Sequence, residues 1–170
     1  MIKYINALVL LVAMFVSSCS DGATDFTTQV MDRNSISQTA GFTWFDMKVQ
    51  VYKPSLSIIE DIKAANKPEY SFYFFAAPSC SCDSLQDLFP NAVKVLDEVG
   101  INYANVKFIA MKNENADNPF KDNFLVNQLP EVFLVINGLP EYSIADTIRT
   151  RNYKSSVESV ILEALINANK

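Results

Sequence analysis

Apolar positions fall into short, separated groups along the chain, and their spacing predicts a mixed α/β domain. From Phe42 to Tyr52, aromatic or aliphatic side chains (Phe42, Trp44, then Met47, Val49 and Val51) alternate with polar ones, the period of a strand, which Pro54 ends. Ile58, Ile59, Ile62 and Ala65 recur at helical spacing, with Ser55 or Ser57 near the helix start and Pro68 closing it. Tyr70 to Ala76 is a dense aromatic run between turn signals. That is the pattern of a strand buried on both faces, so these rings read as core rather than a ligand box.

Leu85, Leu88, Phe89, Ala92, Leu96 and Val99 trace one apolar helical stripe that Gly100 ends; Pro90 inside it is expected to kink or split the helix. Val106 to Met111 reads as a core strand, and Asn118-Pro119 as the cap and first position of a short helix. Glu131 to Ile136 is a strand, Asn137-Gly138 a tight hairpin signal, and Glu141 to Ala145 its partner. Ser155 and Glu158 form a capping-box pattern before Val157, Val160, Ile161, Ala164, Leu165 and Ala168. Strands alternating with helices, then a hairpin and a closing helix, give a mixed central sheet flanked by helices.

Composition narrows the chemistry. Half of the chain is apolar (49%), enough for a real core in 170 residues. The net charge of −5 disfavours nucleic acid as a partner. Histidine is absent, which excludes a Ser-His-Asp triad and a histidine-built zinc site. Glu114 and Asp117 fall in a polar stretch, Asn102 to Asn127, without the ligand spacing of a calcium loop. No cofactor is implied. Chemistry therefore concentrates on Cys19, Cys80 and Cys82.

Lys3 followed by the apolar run Ala7 to Val16 has the form of an export signal, too short to span a bilayer comfortably. It ends in Val16-Ser17-Ser18-Cys19, which resembles the bacterial lipobox. The resemblance implies a signal peptide over 1–18, cleavage before Cys19 and a lipid on its thiol, hence a domain held at a membrane of the bacterial cell envelope; the alternatives are an ordinary secretory signal cut nearby and an uncleaved anchor helix. Residues 19–40, rich in Ser, Thr, Asp, Asn and Gln, then read as a tether, although Phe26, Val30 and Met31 are not linker-like. The domain is expected over 41–170.

The element order resembles that of the thioredoxin-like superfamily. Two segments carry the likeness: Asn123 through Leu129-Pro130-Glu131 to Asn137-Gly138, and Tyr73 through Pro78-Ser79-Cys80-Ser81-Cys82. The resemblance implies a three-layer thioredoxin-like α/β fold over about Phe42 to Lys170. It also implies that Pro130 is a cis proline which, with Leu129, aligns substrate backbone beside a redox pair. Aligned without a gap, Cys82 takes the resolving place and Ser79 that of the attacking cysteine; with the loop one residue shorter, Cys80 attacks in a Cys-x-Cys pair. Pro78 stands where the family has tryptophan, and Tyr73 where it has a buried aspartate.

A helix start favours thiolate, and a Cys-x-Cys disulfide closes a tight, reducible ring; Asp83 acts in the opposite sense. The leading expectation is a thiol–disulfide oxidoreductase acting on cysteine-containing exported proteins or a redox partner, with Cys80 attacking and Cys82 resolving. The alternatives are a protein-binding module with a static disulfide, a Cu(I) thiolate site completed by Met47 or Met111, and two cysteines that are merely small buried residues.

Overall fold

The structure is a computed structural model that describes residues 26–78 and 83–170, and of residues 83–86 the backbone alone. The segment read as an export signal, Cys19, Cys80 and Cys82 lie outside the described residues.

The strands are β1 (Gln29–Met31), β2 (Tyr70–Ala76), β3 (Val106–Ala110), β4 (Glu131–Ile136) and β5 (Leu139–Ser143). The helices are α1 (Phe45–Val51), α2 (Leu56–Ala65), α3 (Asp83–Val99), α4 (Ile144–Thr150) and α5 (Val157–Ala168). One mixed sheet runs β1-β3-β2-β4-β5, with only β2 and β3 parallel. This is a three-layer α/β fold of thioredoxin-like type.

The aromatic run in β2 explains the layering. Because side chains alternate across a strand, Phe72, Phe74 and Ala76 join Phe108, Val132 and Leu134 on one face, while Phe75 joins Ile109, Phe133 and Val135 on the other. The first face is the larger core and carries the buried sides of all five helices: Phe45 and Val49 of α1, Ile59 and Ile62 of α2, Leu88, Phe89, Ala92 and Leu96 of α3, Ile148 of α4 and Val160, Ile161 and Leu165 of α5. The second face is covered by the irregular segment 112–130, whose Phe124, Val126 and Leu129 are buried against it.

Several local expectations are corrected. Phe42 to Tyr52 is not a strand; its second half is α1, with Phe45 and Val49 inward and Met47 and Val51 outward, an i, i+4 pattern. The tether-like segment is partly folded: β1 pairs with β3, Met31 and Ile36 are buried, and Phe26 packs on the core. Pro90 does not split α3, which runs unbroken for 17 residues and ends at Gly100 (φ +78°). Asn118 caps Phe120 N–H at 2.9 Å, but only turns follow, not a helix. After the Asn137-Gly138 hairpin (φ +53° and +79°), β5 starts two residues earlier than expected, and α4 follows it.

The capping box is corrected too. Ser156, not Ser155, caps α5, accepting from Ser159 N–H at 3.4 Å. Glu158 instead turns inward, where it accepts from the Tyr52 hydroxyl and, at 3.3 Å, from Ser55 N–H. That tie fastens the α1–α2 connection to α5.

Candidate functional site

Register places the candidate site at one end of the sheet. Phe75 pairs with Glu131, so β2 leaves the sheet where β4 enters it, and Leu129-Pro130 stands beside the outgoing Ala76-Ala77-Pro78. The Leu129–Pro130 peptide bond is cis, and both residues are buried. Cys82 immediately precedes Asp83, the first residue of α3. Sequence adjacency thus assigns both cysteines to the connection between β2 and the positive end of the longest described helix.

Two features fix the rim of this end. Gly41, at φ +86°, lies so close to Pro78 that an added Cβ would come within 2.4 Å of the proline Cβ. Its carbonyl accepts from Trp44 Nε1 at 2.8 Å, which ties the start of α1 to the Gly41–Pro78 contact. Only glycine satisfies both the left-handed backbone and the contact.

The second feature is an ionic cluster that sequence reasoning missed. Glu131 is 1% exposed, yet it begins an otherwise apolar strand. Its Oε1 accepts from Val132 N–H at 2.8 Å and from the Ser143 hydroxyl at 2.9 Å, and its Oε2 lies 3.2 Å from Arg149 Nη1. Arg149 Nη1 also meets Asp146 at 2.5 Å, while Nη2 donates to the carbonyls of Pro130 and, at 3.4 Å, Gln128. Burial pushes the Glu131 carboxyl up to about 7 against the opposing pull of Val132 N–H and Arg149. The available signal was a lone charge beside Pro130 and an Asp146/Arg149 pair at helical spacing.

Tyr73 sits on the same sheet face, stacked on Phe124 (5.0 Å, 3° between planes) and edge-on to Phe120. Met111 is fully buried in the cluster containing Phe75 and Phe133, whereas Met47 is 62% exposed on α1. Among the described residues no group of three or more Cys, Asp or Glu side chains is arranged to hold a metal, and no helix is long and apolar enough to cross a membrane.

Comparison with protein-family models, curated proteins and solved structures finds no match to this chain.

Proposed function

We propose that this chain is a lipid-anchored, thioredoxin-like oxidoreductase of the bacterial cell envelope that exchanges disulfides with exported proteins through Cys80 and Cys82. The observation that supports this reading most is positional. A closely spaced cysteine pair directly precedes the N-terminus of α3, on the connection leaving β2 where β4 begins with a buried Leu129-Pro130. The helix end favours thiolate, and the thiolate is the nucleophile.

In the reducing direction, the Cys80 thiolate attacks one sulfur of a client disulfide and expels the other as a thiolate, leaving a mixed disulfide. Cys82 then attacks the Cys80 sulfur and releases the second client thiolate. The client gains two electrons and takes up two protons, and the pair becomes a disulfide; oxidation of a client dithiol runs these steps backwards.

The test is trapping. With Cys82→Ser the mixed disulfide cannot resolve, so envelope proteins should accumulate on Cys80 as reducible adducts, and Cys80→Ser should abolish them. Adducts that persist without Cys80, or that never form, count against the reading.

A second reading is a binding module with a static disulfide. Tyr73 favours it: this position is filled by an aromatic ring stacked on Phe124, not by a carboxylic acid.

A further inference from the structure

We infer that the end of the sheet carrying the β2–α3 connection faces the membrane, so that the partner presents its cysteines at the bilayer surface. This rests on the lipoprotein reading above and adds the orientation and the class of partner.

Strand register carries the argument. Gln29, the first residue of β1, pairs with Ala110, and Ala110 pairs in turn with Ala76, the last residue of β2. The chain therefore enters the sheet at the same end from which β2 leaves toward Cys80 and Cys82. With strands about 4.8 Å apart, the entry point is only about 10 Å to the side of that exit. The Asn137-Gly138 hairpin marks the opposite end, since Tyr70 pairs with Ile136.

The link to the anchor is short. Phe26 already packs on the core, so residues 20–25 alone separate it from Cys19. Fully extended, the step from Cys19 to Phe26 reaches about 25 Å. A tether running to residue 40 would have reached about 75 Å and imposed no orientation. β2, at seven residues, is itself about 23 Å long. Bringing the hairpin end down to the bilayer would require the link to span the whole sheet nearly taut, which costs most of its conformational freedom. The lipid-side end of the sheet is the natural one. Soluble proteins would reach it only through the gap between domain and membrane, whereas a membrane protein with cysteines just outside the bilayer meets it directly.

Lys112, two residues beyond β3, and Leu139, in the hairpin, are exposed and sit at opposite ends. A keto amino acid at either position, coupled to a donor dye, leaves all three cysteines untouched. The full-length chain, matured to carry its lipid, is placed in phosphatidylcholine vesicles with an acceptor on the lipid headgroups. Energy transfer should be severalfold stronger from position 112 than from 139. Inserting twenty Gly and Ser residues after Ser20 should erase that difference. Equal transfer from both positions, or stronger transfer from 139, overturns the orientation. Mass analysis of Cys19 separates the two levels. A chain without lipid that ignores vesicles defeats the anchor and the inference together, whereas a lipidated chain without the difference defeats only the inference.

Discussion

Arg149 on α4 bridges to the carbonyl of Pro130 with one guanidinium nitrogen while the other lies 3.2 Å from the Glu131 carboxylate. The residue that opens β4 and the loop just before it are thus held by a single cation that is itself 11% exposed. Arg149→Ala removes the counter-charge of a buried carboxylate and frees two loop carbonyls. Above pH 7, where Glu131 is ionised, the expected loss is about 3 kcal/mol, since an unpaired buried charge costs far more than a pair contributes. Arg149→Lys should recover only part of it, because an ammonium cannot reproduce the fork. Urea unfolding of both variants checks this; a loss below about 1 kcal/mol for Arg149→Ala would show that the Val132 amide, the Ser143 hydroxyl and solvent suffice for Glu131.

Glu131 makes stability depend on pH with a definite sign. Its folded pKa, about 7, lies above the ordinary value of 4.5, so between these values the native state holds a proton that the unfolded chain has released. The contribution is full below pH 4.5 and is lost as pH rises through 7, a fall of at most about 3 kcal/mol. Glu131→Gln should flatten that part of the profile. Matching unfolding curves for wild type and Glu131→Gln across pH 4–8 would contradict the assignment.

Gly41→Ala places a Cβ against Pro78 in a left-handed backbone. Strain and contact together should cost about 1–3 kcal/mol. Gly138→Ala is the control: it has a similar φ of +79° but nothing within 4 Å of the added carbon. A smaller loss there, by thermal unfolding, isolates the Pro78 contact.

Ser156→Ala should lower stability by about 1 kcal/mol, whereas Ser155→Ala should change little, because only Ser156 caps α5. Denaturant midpoints for the two variants decide between this cap and the capping-box reading of Ser155 with Glu158.

That last pair shows what the sequence can and cannot convey. Ser155 and Glu158 have the right spacing for a capping box, but Glu158 finds better partners across the fold in Tyr52 and Ser55, and the cap moves one residue. Long-range partners leave no local trace. The same holds for Phe42 to Tyr52, where alternation read as strand conceals Phe45 and Val49, the pair that turns inward as α1. β1 is three residues long and joins the sheet through its backbone, so side-chain periodicity could not announce it. Where local chemistry dominates, the reading was direct: the aromatic β2, the Asn137-Gly138 turn and the helix after the cysteines are where patterning and turn residues put them. Of the candidate site, the cis bond at Pro130 and its place beside the exit of β2 were legible through resemblance. Glu131 and Arg149 were not, since residues 18 apart in sequence meet only once α4 packs on β4.

The most direct test of the proposed function is a redox titration of the mature protein. The chain is equilibrated across a glutathione series, unreacted thiols are alkylated, and Cys80 and Cys82 are followed by mass. The oxidoreductase reading predicts reversible conversion between dithiol and disulfide within the glutathione range, with Cys80 and Cys82 changing together. A pair that stays oxidised throughout, or two thiols that never join, contradicts it.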